Sequence, residues 1–172
     1  MADLAEVNPR YRLYQVFWTG LDWLVPPSCG GCGRRGTRWC ELCQAKTEII
    51  SGTICESCGK LATASRLCLA CSVNRPSYTA ARSWAVYKGE LRSALHRLKY
   101  KHDIGLGELF ARPMVKLLRQ LGWKIELVIP VPMTQKHLLQ RGYNQARLLS
   151  RPIAFALDLP HTDRGLHKVR ET

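Results

Sequence analysis

Eight cysteines carry the most specific chemistry of this chain. They fall as four Cys-x-x-Cys pairs, Cys29/Cys32, Cys40/Cys43, Cys55/Cys58 and Cys68/Cys71, with none left over. A two-residue spacer makes a tight knuckle in which both thiolates can face one tetrahedral ion at about 2.3 Å. Gly30, Gly31, Gly33 and Gly59 sit in or beside these knuckles, where glycine lets the backbone turn and aim its amides at the sulfurs. The spacing predicts two zinc ions, each held by four cysteines. Sequential pairing joins Cys29, Cys32, Cys40 and Cys43 in one site and Cys55, Cys58, Cys68 and Cys71 in the other; a cross-braced arrangement would join the first pair with the third. The near-repeat of knuckle, short spacer and knuckle favours the sequential form. Four thiolates leave zinc no open position, so the sites are structural. Disulfides would need an oxidising compartment and would close very small loops. Iron–sulfur ligation by the same thiolates is the competing metal chemistry, and a thioredoxin-like redox pair needs one such motif beside a strand and helix, against which four in a row argue. A segment of about 45 residues has too little apolar volume to fold alone, so metal must supply much of its stability.

The elements around the cysteines divide the chain into three parts. Residues 1–27 read as an amphipathic helix, with apolar side chains at mostly helical intervals from Tyr11 to Val25, Pro9 in the first turn and Pro26-Pro27 at the end. Its polar face has few Lys or Arg, which favours packing over membrane anchoring. No apolar run approaches the roughly 18 residues of a spanning helix. Asp3 and Glu6 stand where a secretory signal would carry positive charge, so a cytoplasmic address is expected. Residues 28–75 form the double zinc ribbon, and 76–172 a further domain.

In that further domain, Ala80–Tyr87 alternates as a strand does. Helical spacing runs over Glu90–Tyr100 and again over Ile104–Leu121, where Pro113 belongs in a first turn or kinks the helix and Gly122 is the stop. Glu126–Val131 is a short apolar run of the kind buried on both faces of a parallel sheet. It leads into Pro132, a basic loop and a helix over Asn144–Leu157 with Pro152 as an irregularity. Strand, basic loop and helix is the order of an α/β ligand-binding unit. Charge concentrates here too: the net charge is +13, with 9 basic against 6 acidic residues up to residue 80 and 17 against 7 beyond it. Such an excess suits nucleotides, nucleic acid and sugar phosphates.

Several separated segments resemble one family, the ComF or GntX group of competence-associated, phosphoribosyltransferase-like proteins. They are Leu21-Asp22-Trp23-Leu24-Val25-Pro26-Pro27, the four knuckles, Leu98-Lys99-Tyr100, Val128-Ile129-Pro130-Val131-Pro132 and Arg141-Gly142-Tyr143-Asn144-Gln145, in the family's order. The resemblance implies an α/β protein: a small N-terminal double zinc ribbon followed by a type I phosphoribosyltransferase-like domain. Relatives of that domain handle phosphoribosyl pyrophosphate with magnesium, and family members are associated with uptake and use of DNA. By resemblance, Pro130-Val131-Pro132 and the following loop lie where pyrophosphate is cradled, with Arg141, Asn144 and Lys99 as phosphate-binding residues. An Arg able to fork onto phosphate agrees with that; Asn144 is equally suited to capping a helix and Arg141 to bracing a turn. The strand ending in two acidic residues and the Thr-Thr-Gly-like loop of type I phosphoribosyltransferases do not occur in the 172 residues. The resemblance therefore implies an incomplete domain, shortened at its C-terminus, that does not transfer a phosphoribosyl group by itself. A basic module that binds single-stranded DNA or the DNA-uptake machinery is the competing reading, with Trp, Tyr and Arg as stacking or phosphate contacts. A residual product without stable activity is a third.

Overall fold

In a computed structural model of the protein, the described residues are 26–62, 66–169 and Val16. The helix expected over residues 1–27 lies, but for Val16 and the two prolines at its end, outside them. Two compact units are present: Thr47–Tyr87, and the described part of Met1–Lys46 together with Lys88–Thr172.

The larger unit is helical. Four of its helices follow the first ribbon's own short helix α1 (Glu41–Ala45): α3 (Gly89–Tyr100), α4 (Gly105–Leu121), α5 (Gln135–Arg141) and α6 (Gln145–Leu157); α2 (Leu69–Val73) belongs to the smaller unit. Helix α3 buries Leu91, Ala94 and Leu98 along one stripe, and α4 buries Leu106, Phe110, Ala111 and Val115 along another. Each buried Leu, Val or Phe side chain among them contributes about 1.5–3 kcal/mol. Helices α4 and α6 share a core of Ala111, Val115, Ile153 and Ala156, flanked by Met114, Leu118, Phe155 and Leu157. Arg119 closes the far end of that pair by donating to the Ala156 carbonyl at 3.0 Å, an acceptor the last helical turn leaves without a partner. Gly122, with φ of 60°, ends α4. Pro113 lies inside α4 rather than in its first turn; the buried stripe on both sides of it holds the helix together despite the missing N–H.

Helix α5 occupies what reads in sequence as a basic loop. Thr134 caps it through its side chain, accepting from the His137 amide at 3.3 Å, and Gly142 closes it with φ of 75°. Asn144 caps α6, its side-chain oxygen accepting from the Ala146 amide at 2.9 Å.

The expected strands do not develop into a sheet: among the described residues β pairing is confined to isolated bridges. Glu126–Val131 pairs only at Val128, in parallel with His161, through Val128 N–H to the Pro160 carbonyl at 2.9 Å and Thr162 N–H to the Val128 carbonyl at 3.3 Å. Pro130, Pro132 and Pro160 have no N–H to give, so the ladder cannot extend. His161 is tied to α6 by a 2.9 Å hydrogen bond between its Nε2 and Ser150 Oγ, and burial lowers its pKa. Ala80–Tyr87 likewise pairs only around Ala85 with Ile49, because the Ala81 amide is spent on the Ser57 carbonyl at 2.7 Å. Helices and ribbons, not a sheet, therefore organise the described residues.

Candidate metal centres and a basic corner

The two ribbons are built to one pattern. Cys29 N–H donates to the Arg34 carbonyl at 2.7 Å and Gly33 N–H returns to the Cys29 carbonyl at 2.8 Å; Cys55 N–H donates to Lys60 at 2.7 Å and Gly59 N–H returns to Cys55 at 3.0 Å. Gly33 and Gly59 hold φ of 78° and 72° at the same place in each knuckle, a conformation glycine adopts without the cost a Cβ brings. Antiparallel bridges flank both turns, Ser28 to Arg35 and Ile54 to Leu61. The second knuckle of each ribbon starts a helix: Cys40 and Cys68 sit in extended conformation just before α1 and α2, and Cys43 and Cys71 follow within the first turn.

These turns gather the sulfurs into two groups, Cys29, Cys32, Cys40 and Cys43, and Cys55, Cys58, Cys68 and Cys71, with all four Sγ atoms of each within 4.8 Å of one another. The grouping is sequential. Sulfurs lie 3.7 Å apart for Cys29 and Cys40, 3.6 Å for Cys29 and Cys43, 3.7 Å for Cys32 and Cys40, and 3.7 Å for Cys58 and Cys68. A tetrahedral zinc with bonds of about 2.3 Å has sulfur–sulfur edges of about 3.8 Å, whereas a disulfide would bring two sulfurs to about 2.05 Å. The donor set and its geometry fit zinc. The Cys40 amide donates to Cys29 Sγ at 3.4 Å, the kind of contact that steadies a metal-bound thiolate.

The thiols ionise unequally. Burial opposes ionisation of Cys29, but the amides of Cys32, Cys40 and Gly31 and the Cys43 thiol bring it down to about 6. Cys55 is held at about 6 by the amides of Cys68 and Cys58. Burial pushes Cys43 far above its ordinary range, with the neighbouring thiols adding to it, and lifts Cys71 to about 12 for the same reasons. Within each cluster, then, one cysteine ionises readily and another reluctantly, and a bound metal would drive off the remaining protons.

The first ribbon is packed into the helical unit. Cys29, Cys40 and Cys43 are buried with Trp39 against them, and Trp39 meets Phe110 of α4 edge-on with ring centroids 5.3 Å apart. Arg97 of α3 donates to the Cys29 carbonyl at 3.1 Å and to Ser28 Oγ at 2.9 Å. The same guanidinium pairs with Asp103 at 2.8 Å, and Arg38 of the ribbon pairs with that carboxylate at 3.2 Å. Nothing in the sequence marks this clamp, because Arg38 and Asp103 stand 65 residues apart.

Two separated motifs meet at a basic corner. The Arg141 guanidinium lies over the Tyr100 ring, 5.0 Å from its centroid, and Lys99 Nζ lies 5.3 Å from the same centroid. Arg141 also donates to Gln145 Oε1 at 3.0 Å. Tyr143 donates its hydroxyl to the Leu98 carbonyl and packs edge-on against His102. The Asn144 amide is engaged with backbone: besides capping α6, its Nδ2 donates to the Val131 carbonyl at 2.9 Å, bracing the loop after Pro130. Of the three residues expected to bind phosphate, Lys99 and Arg141 are thus brought together around one ring, while both polar ends of the Asn144 amide serve the backbone.

These features define a double zinc ribbon joined to a helical unit. The double zinc ribbon domain family matches residues 20–72. The chain is 27% identical over 161 residues to the DNA utilization protein YhgH of Shigella flexneri, covering 89% of this chain and 68% of that protein. It is 26% identical over 118 residues to competence protein ComFC of Bacillus subtilis, covering 64% and 49%, and 28% identical over 139 residues to competence protein F of Haemophilus influenzae, covering 77% and 60%. The chain is thus similar to competence and DNA utilization proteins, and the two clusters within its double zinc ribbon are sites for two structural zinc ions. No solved structure matches it. The chain spans between 49% and 68% of the length of these relatives. No helix among the described residues is long and apolar enough to cross a membrane.

Proposed function

We propose that this protein serves the uptake and use of DNA, holding single-stranded DNA on the basic surface of its helical unit while zinc keeps the ribbons folded. The observation that carries this reading is the corner at Tyr100, a half-exposed aromatic ring flanked by the Arg141 and Lys99 cations. Aromatic rings with neighbouring cations bind single strands through stacking and phosphate attraction, without base reading. The names of the relatives, competence and DNA utilization proteins, support the same role. Titrating the zinc-loaded chain into labelled oligonucleotides tests it. Binding should tolerate changes of sequence and fall with salt, with a log–log slope of about 0.7 for each phosphate neutralised. Affinity unchanged between about 50 and 200 mM salt would remove the electrostatic basis of the reading.

A second reading, weak binding of phosphoribosyl pyrophosphate or a nucleotide beside the loop after Pro130, is favoured by the Asn144 brace on Val131 and by Arg141 nearby in sequence. Residues 130–145 contain no Asp or Glu, so that segment does not fit a magnesium ion held by protein carboxylates. Phosphoribosyl pyrophosphate that binds only with magnesium present, and that single-stranded DNA fails to displace, would favour this second reading.

A further inference from the structure

Helix α3 divides its polar side chains by face. Inward, Arg97 is committed to the Cys29 carbonyl, Ser28 and Asp103. Outward, Arg92, Ser93, His96, Lys99 and Tyr100 are all exposed. Positions 92, 96 and 99–100 recur at three or four residues, so they line one face and step along the axis by about 5–6 Å. That step is close to the separation of successive phosphates along a stretched single strand. The acidic residue of α3, Glu90, is occupied by Lys46 at 3.1 Å, and among the described residues Arg92 and Lys99 form no ion pair. Among the described residues the stripe's cations are therefore not offset by an ion pair up to Tyr100, whose ring meets His96 at 5.1 Å and Arg141 at 5.0 Å.

We infer that the outer face of α3 is a track for single-stranded nucleic acid: Arg92 and Lys99, two helical steps or about 10 Å apart along the axis, take phosphates on either side of the one that passes His96, and Tyr100 with Arg141 at its end stacks a base. This rests on the DNA-handling reading above and names the surface that performs it. The helix has the length for a few nucleotides, and the Tyr143 hydroxyl bond to the Leu98 carbonyl holds its last turn in place beside Arg141.

The test uses the full, zinc-loaded chain and a labelled oligo(dT) read by fluorescence anisotropy. Arg92→Glu and Lys99→Glu should each weaken binding about tenfold and lower the salt slope by about 0.7, whereas Lys124→Glu, the same charge change on an exposed residue elsewhere, should leave binding within about twofold. Tyr100→Leu should cost about 5- to 150-fold, the range of one lost stacking contact, and Tyr100→Phe should stay near the wild type. Zinc content and far-ultraviolet circular dichroism confirm that each variant is folded. Arg92→Glu and Lys99→Glu no weaker than Lys124→Glu would overturn the track and leave the DNA-handling reading standing. Duplex bound more tightly than the single strand would overturn it too, as would Tyr100→Phe as weak as Tyr100→Leu. A wild-type chain that binds no single strand at low salt would overturn the reading of function itself, and the track with it.

Discussion

The two ribbons share one backbone plan and differ in what surrounds it. In the first, glycines at positions 30 and 31 let neighbours press in: a Cβ on Gly31 would stand 2.8 Å from Cys43 Sγ and 2.8 Å from Glu90 Cβ, and one on Gly30 would meet Leu106 at 2.9 Å and Ala94 at 3.0 Å. The matching positions of the second ribbon are Glu56 and Ser57, and the buried residues described within Thr47–Tyr87 are Cys55, Ser57 and Cys71 alone. One ribbon is part of a larger core; the other has almost nothing inside it except its own metal ligands. The same turn chemistry therefore yields two different dependences on zinc. Where a core exists the ion adds to it, and where none exists the ion replaces it.

The largest test of this contrast is Cys55→Ser. It should lower zinc content to about one ion per chain and expose Thr47–Tyr87 to protease, while the α4–α6 core around Val115 and Ile153 stays protected; structural zinc in small domains carries on the order of 10 kcal/mol, far beyond what three buried side chains replace. Cys29→Ser should also lose an ion but leave its surroundings partly ordered, held by Trp39, Phe110 and the Arg97–Asp103–Arg38 clamp. Limited proteolysis with metal analysis reads both. Equal collapse of both ribbons would break the contrast.

A smaller effect is expected from pH. Zinc takes thiolates, so each ligand still protonated must release its proton on binding, and affinity falls as pH falls. Cys43 and Cys71, both raised, release protons throughout the neutral range. Cys29 and Cys55, at about 6, join them only below that pH. Apparent zinc affinity measured against a chelator should therefore drop more steeply below about pH 6 in both ribbons, by about another tenfold per pH unit for each added proton. A constant slope from pH 8 to 5 would contradict these assignments.

The smallest test exchanges the equivalent residues. Gly31→Ser should cost about 1–3 kcal/mol in thermal or denaturant unfolding, since the added side chain must displace Cys43 or Glu90. Ser57→Gly in the other ribbon should cost less, about 1 kcal/mol from added chain flexibility. The reverse order would mean that the first ribbon's close fit is not what distinguishes it.

What was legible in the sequence follows the range of the interactions involved. Zinc ligands lie within a few residues of each other, so their spacing announces them, and α3, α4 and α6 show in apolar periodicity because each buries one continuous stripe. Helix α5 buries no residue and so leaves no such stripe, although Thr134 and Gly142 mark its ends. The apolar runs at 80–87 and 126–131 look like strands because their composition is right, but a strand is completed by a partner, and prolines and prior hydrogen bonds limit the pairing. The Arg38–Asp103–Arg97 clamp and the stacking of Arg141 on Tyr100 join residues tens of positions apart, and single residues carry no mark of a distant partner. Asn144 was readable as a helix cap, and that is the role its hydrogen bonds give it.

The carbonyl of Cys29 that receives Arg97 has a consequence for the order in which the chain acquires its shape. The first ribbon draws its ligands from Cys29 to Cys43, so it closes through short loops, whereas its bond to Arg97 spans 68 residues. Short-range contacts form first as a chain leaves the ribosome from its N-terminus. The ribbon can capture its ion while α3 is still unsynthesised, and it then presents a fixed acceptor to the helix that arrives later. Supply of zinc during translation, rather than afterwards, would on this logic decide whether α3 finds a finished surface to dock on or a loose one.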